Sequence, residues 1–189
     1  FNTGIIAGAD GSLLGCTRKV HLPADEMRHS SPGTLIQGIA TPLGRAGFAI
    51  CYDIQFPEHT ACLALDGAEF ILHPSAGYTL PDESADMGSN RLRVRASDHF
   101  VPILYSCFMP ENDWEARGSC IIRAQGDVVA SVRGKRTGLA VADLELGARR
   151  AWPGDAPDTP CRERARRALR RPETYGALML QCDTASATQ

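Results

Sequence analysis

Gly47-Phe48-Ala49-Ile50-Cys51, followed by Pro57 and a segment carrying Ala61, Leu63, Ala64 and Leu65, then Gly67 and Glu69-Phe70-Ile71-Leu72-His73, is the stretch that decides the fold. Its two flanks are short apolar runs of strand length, and Pro57 suits the first turn of a helix between them. A strand-helix-strand unit this short reads as a crossover, with its two strands parallel and the helix on one face of their sheet. Working outward, Arg91 to Phe100 reads as a helix after a Gly88-Ser89-Asn90 loop, and Val101 to Cys107 as another apolar strand. Ser119-Cys120-Ile121-Ile122 and Val128-Val129-Ala130-Ser131-Val132 flank Gln125-Gly126-Asp127 as a hairpin, and Gly138 to Leu144 is expected to add a last strand. Pro74 is expected to bound the strand before it. Toward the N-terminus, Asp10-Gly11 is a strong hairpin-turn pair between Thr3-Gly4-Ile5-Ile6-Ala7 and Ser12-Leu13-Leu14-Gly15-Cys16. Pro23 to Gly33 reads as a loop rich in charge and turn formers. The expected class is α/β with a mixed sheet.

The rest of the composition narrows the possibilities. The chain has 189 residues, 43% hydrophobic and 22% charged, with 20 basic and 22 acidic side chains. Such a balance supports a packed core and gives no general field for nucleic acid or an anionic membrane. No apolar run reaches the length of a membrane span. Seven cysteines, at 16, 51, 62, 107, 120, 161 and 182, are odd in number and scattered, with no C-x-x-C pair. They read as reduced thiols of a cytoplasmic protein rather than a disulfide framework or a zinc knuckle.

The ends differ in character. The chain opens inside a strand, which leads to the expectation of a fragment whose N-terminal part is absent. From Arg162 to Arg171 it carries six Arg in ten residues. Without interleaved aromatics this run reads as a solvated helix face or subunit contact rather than a nucleic-acid patch. Residues 1–160 are taken as one domain, and 161–189 as an Arg-rich tail forming a subunit contact or partly disordered.

Few residues stand out for chemistry. Cys51 ends a strand where the chain turns into a helix, at the sheet rim where α/β folds bind ligands. By position alone it is equally a buried structural thiol. Cys62, Cys107 and Cys120 lack that context. Lys19 ends the returning strand of the first hairpin, where a lone lysine is normally a solvated surface charge, and Glu26 follows seven residues later in a loop. The five histidines (21, 29, 59, 73 and 99) show no i,i+4 pairing with Glu and no Cys partner spacing, so no metal site is expected. Pro74-Ser75-Ala76-Gly77 echoes half of a nucleophile elbow, but His73 stands where its first Gly is required, which argues against a serine hydrolase.

Taken in order, these segments resemble the nitrilase (carbon-nitrogen hydrolase) superfamily. The resemblance is carried by the Phe1-Asn2-Thr3 opening, the Asp10-Gly11 hairpin, Arg18-Lys19-Val20-His21-Leu22-Pro23, Pro32-Gly33 and Thr41-Pro42-Leu43-Gly44-Arg45. It continues through Ile50-Cys51-Tyr52-Asp53-Ile54-Gln55-Phe56-Pro57-Glu58, Gly67-Ala68-Glu69, Pro74-Ser75-Ala76, Arg93-Val94-Arg95-Ala96, Gly118-Ser119-Cys120-Ile121-Ile122 and Arg171-Pro172-Glu173-Thr174-Tyr175-Gly176. Many motifs in register make this specific.

The resemblance implies an α-β-β-α sandwich, here incomplete, that associates as a homodimer or higher homo-oligomer. It also implies a Glu-Lys-Cys catalytic set with a second Glu, and no metal or organic cofactor. Lys19 and Cys51 take the Lys and Cys roles, Glu26 is the candidate second Glu, and the backbone N–H of Tyr52 joins Lys19 as an oxyanion donor. The first Glu, the general base, is expected on a segment before residue 1. The activity implied is hydrolysis of a non-peptide carbon-nitrogen bond, in a small amide or N-carbamoyl (ureide) substrate, through a cysteine thioester. Cys51-Tyr52-Asp53 resembles the amidase and carbamoylase side of the superfamily, since true nitrilases carry Cys-Trp-Glu there. Ile54 and Gln55 stand where N-carbamoyl-D-amino-acid hydrolases place two Arg. Arg91, Arg93 and Arg95 are read as structural before they are read as anion-binding. Two alternatives stay open: a catalytically inactive fragment or interaction module of the same fold, and a nitrilase acting on a nitrile.

Overall fold

The computed structural model describes residues 1–76, 87–107, 118–132, 137–146 and 170–180, the side chains of 87–89 excepted. The chain divides into two compact units, Phe1–Ala148 and Arg149–Gln189.

In the first unit, β1 (Thr3–Ala7) and β2 (Leu13–Arg18) form an antiparallel hairpin, Thr3 opposite Arg18. Gly11 closes its turn in the left-handed region at φ 82°, which a side chain would resist. Asp10 Oδ1 accepts the backbone and side-chain hydrogens of Ser12 at 3.0 and 2.7 Å, an Asx turn.

Six further strands make one mixed sheet: β3 (Ile39–Thr41), β4 (Gly44–Phe48), β5 (Phe70–Ser75), β6 (Ile103–Cys107), β7 (Ser119–Ile122) and β8 (Val128–Val132), in that spatial order. β4, β5 and β6 run parallel and the outer pairs antiparallel. The parallel connections carry α1 (Pro57–Leu65), as the crossover reading of that stretch requires, and α2 (Met87–His99), a second crossover. Pro57 does occupy the start of α1.

The two faces of the sheet have separate cores. Leu63 and Ala64 of α1 and Leu92 and Ala96 of α2 pack on Ile71, Ile103 and Ile122. Each fully buried Leu or Ile contributes on the order of 1.5–3 kcal/mol. On the opposite face Ile6 of the hairpin packs on Ile39, Phe48 and Ile50, with Leu72 beside them. The described residues thus form helix, sheet and hairpin layers, in keeping with the α/β class.

Three local expectations are corrected. Residues 137–146 form no strand. Leu139 and Val141 keep the apolar alternation but are 86% and 73% exposed, so nothing among the described residues rewards their pairing. Pro74 lies inside β5 opposite Ser106. Beyond Leu72 the pairing with β4 has ended, so a missing N–H is tolerated there. Gly88-Ser89-Asn90 belongs to α2 rather than to a loop.

In the second unit, Pro172–Thr174 and Gly176–Met179 form two 3₁₀ turns, with Arg171 paired to Glu173. Residues 161–169, most of the Arg-rich run, and Cys161 and Cys182 lie outside the described residues.

Candidate active site

Lys19 follows β2 directly, and its backbone is held from both sides. Its N–H donates to Asn2 O at 2.8 Å, and its carbonyl accepts the Gly33 N–H at 2.7 Å. Only glycine fits at 33, because a Cβ there would lie 2.5 Å from Arg18 O. The side chain of Lys19 is 2% exposed. A buried ammonium needs a paired charge, and Glu26 provides it through Oε2. Glu26 opens a single 3₁₀ turn, Glu26–Arg28, within the 23–33 loop. Its other oxygen accepts from Asn2 Nδ2 at 2.8 Å.

Cys51 starts the 3₁₀ turn Cys51–Gln55 that joins β4 to α1. Its φ is 49°, left-handed for a residue with a side chain. Such a conformation costs on the order of 1–3 kcal/mol and persists only where its surroundings enforce it. Cys51 and Tyr52 lead this turn, where backbone N–H groups have no partner within it. Cys51 Sγ accepts from Ser75 Oγ, on β5, at 3.5 Å. Ser75 also bonds the Tyr105 hydroxyl, whose pKa is raised first of all by burial.

Asp53 joins the lysine to the cysteine. Its Oδ1 accepts from Val20 N at 3.2 Å, His21 N at 2.8 Å and the His21 ring Nδ1–H at 2.9 Å. Its Oδ2 accepts from Ile50 N at 3.1 Å. The residues after Lys19 and before Cys51 are therefore fastened to one carboxylate. Burial alone would raise the Asp53 pKa, but the His21 hydrogen bond, the His59 charge and the backbone N–H groups outweigh it and hold it below its ordinary value.

The His21 ring stacks on Phe56 at 3.7 Å. Buried His59 donates Nε2–H to Phe48 O at 2.8 Å, and its Nδ1, with no hydrogen-bond partner, lies 3.6 Å from Asp53 Oδ1. His73 donates Nδ1–H to Ala49 O at 2.6 Å, and burial pushes its pKa down to about 4. Among the described residues, His21, Asp53 and His59 form a group with metal-ligand character, their donor atoms within 4.8 Å of one another. Spacing along the chain does not reveal it, since the three meet only in the folded state. Because both Asp53 oxygens accept N–H groups and His21 Nδ1 is one of the donors, the cluster is wired as a hydrogen-bond hub.

The structure thus pairs Lys19 with Glu26 directly and ties Lys19 to Cys51 through Asp53. Asn2, His21, Asp53 and Ser75 have no site role in the sequence reading, which weighs Ser75 only as a rejected nucleophile and His21 only as a rejected metal ligand, although Asp53 and His21 each stand two residues from a candidate. Of the arginines, Arg93 Nε donates to Gly126 O at 2.9 Å and Arg95 Nη2 to Gln55 O at 3.2 Å, both structural uses. Among the described residues no cysteine takes part in a disulfide. No helix among the described residues is long and apolar enough to cross a membrane.

Comparison with known proteins gives this geometry its context. Mouse deaminated glutathione amidase is 31% identical over 157 residues, covering 77% of this chain and 48% of that protein. Tomato N-carbamoylputrescine amidase is 30% identical over 165 residues, covering 77% of this chain and 55% of that protein. The chain therefore spans about half the length of these curated relatives. A solved structure of a mutant amidase from Nesterenkonia sp. AN1, with acrylamide added at its active-site cysteine, superimposes with a TM-score of 0.65. It is 25% identical, covering 76% of this chain and 56% of that one. The carbon-nitrogen hydrolase family model matches residues 1–154, and the chain belongs to that family.

Proposed function

We propose that the protein hydrolyses a non-peptide carbon-nitrogen bond, in a small amide or N-carbamoyl compound, through a thioester on Cys51. The observation that carries this reading is the pairing of a buried Lys19–Glu26 ion pair with a cysteine held at positive φ at the head of a turn, the two tied together by Asp53. Cys51 Sγ attacks the carbonyl carbon, and the carbonyl electrons move onto oxygen. The Lys19 ammonium and the Tyr52 N–H stabilise that oxyanion, a contribution of about 3–4 kcal/mol per donor at comparable sites. Collapse expels ammonia or an amine, protonated by the group that took the thiol proton, and water then hydrolyses the thioester. Glu26, bonded to Lys19 and Asn2, orients the ammonium, so the proton carrier is a separate carboxylate, in the role of the family's first glutamate. Names of the relatives support amides and ureides as substrates.

On this reading the protein acts in the reducing cytoplasm as a homodimer or higher homo-oligomer, with the Arg-rich C-terminal segment as a subunit contact. The test is ammonia release from simple amides and N-carbamoyl compounds by the purified full-length protein. Turnover that survives Cys51→Ala would overturn the thioester mechanism.

A further inference from the structure

We propose that Asn2 is a positioning residue that sets the direction of the Glu26 carboxylate against Lys19, a proposal resting on the catalytic reading of Lys19 and Glu26 given above. Asn2 holds both members of the pair by different atoms. Its backbone carbonyl accepts the Lys19 N–H at 2.8 Å, adding one rung to the β1–β2 ladder. Its side-chain Nδ2 donates to Glu26 Oε1 at 2.8 Å, while Glu26 Oε2 takes the Lys19 ammonium. Three contacts thus close a ring through Asn2, Lys19 and Glu26, with each carboxylate oxygen assigned to one donor.

The residue type follows from that ring. Glu26 as a carboxylate is acceptor-only, so its second oxygen needs a donor, and a short neutral amide supplies one without a competing positive charge. The first rung is itself anchored, because the Arg18 guanidinium lies 3.8 Å over the Phe1 ring. Removing Nδ2 frees Oε1, and the carboxylate can then rotate and take the ammonium with it. Such a change touches the charge that develops in the transition state more than substrate binding.

The experiment compares Asn2→Ala, Asn2→Asp, Glu26→Gln and the Asn2→Ala/Glu26→Gln double variant in the full-length protein, with kcat, KM and thermal melting measured for each. Asn2→Ala is expected to lower kcat about tenfold, a coupling of ordinary size for contacting residues, with KM little changed. The isostere Asn2→Asp is expected to be worse, because it sets one carboxylate against another, whereas a merely space-filling residue would tolerate it better than alanine. In the Glu26→Gln background the Asn2→Ala penalty is expected to vanish. An Asn2→Asp variant with parental kcat, or an undiminished Asn2→Ala penalty beside an impaired Glu26→Gln, overturns the role of Asn2 and leaves that of Glu26 standing. Parental kcat in Glu26→Gln removes the Glu26 role, and this proposal with it.

Discussion

Asp53 takes both the backbone N–H and the ring Nδ1–H of His21 on a single oxygen, at 2.8 and 2.9 Å, and is itself 1% exposed. The contact joins the segment after Lys19 to the turn that presents Cys51, two parts of the chain 32 residues apart. Four expectations follow from the hub and from the groups it aligns.

Asp53→Asn keeps the shape but replaces one acceptor oxygen with a donor facing N–H groups. A loss of about 2–4 kcal/mol is expected, the range for breaking a buried charge-assisted network. The pH dependence should change as well. With its folded pKa held below the unfolded one, Asp53 contributes stability that is present above the unfolded value near 3.9 and is lost as pH falls through the folded value. Denaturant melts between pH 3 and 7 should therefore show a shallower acid-side loss in the variant. An unchanged midpoint would remove the hub from the argument.

Cys51→Ala is expected to abolish turnover by about a thousandfold or more, while alanine at 62, 107 or 120 leaves it near the parental rate. Iodoacetamide labelling with peptide mapping should find Cys51 modified in step with inactivation. Cys51→Gly separates strain from chemistry. Glycine accepts a φ of 49° without a Cβ penalty, so the inactive glycine variant should melt no lower than the inactive alanine variant.

Lys19→Arg preserves charge but replaces a compact ammonium with a larger planar fork in a site that is 2% exposed. A fall in kcat of about 10²–10³-fold is expected, comparable with loss of an oxyanion donor, with a much smaller change in KM. Steady-state kinetics on one amide substrate measure both. Parental kcat would take Lys19 out of the catalytic set.

His73 carries a different pH signature. Its folded pKa of about 4 lies below the ordinary 6.5, because burial disfavours the charged ring. The unfolded chain therefore binds the extra proton first. Stability is whole above pH 6.5, declines as pH falls toward 4, and by linkage the full loss is about 3 kcal/mol. His73→Asn retains a donor for Ala49 O without titrating, so its stability should stay flatter across that interval. Equal slopes in the two proteins would show that another group dominates.

How much of this was legible in the sequence depends on the range of the interaction. The parallel unit around Gly47–His73 and the hairpin at Asp10-Gly11 were readable because apolar periodicity and turn chemistry act over a few neighbouring residues. The same local logic misjudged residues 137–146, where alternation without a partner strand is worth nothing, and Pro74, whose tolerance depends on where its neighbour β4 stops. Lys19, Glu26 and Cys51 were reached through the order of family motifs. Their arrangement was not reachable that way. Asn2 meets Glu26 across 24 residues and Asp53 meets His21 across 32. Local sequence determined which side chains were available and which segments became strands, turns and helices. Only tertiary packing decided that Lys19 would be buried against a carboxylate, that Cys51 would be held at positive φ, and that one aspartate would bind the two segments together. Those arrangements depend on desolvating charge and pairing hydrogen bonds between distant segments, and such terms arise only when the layers close.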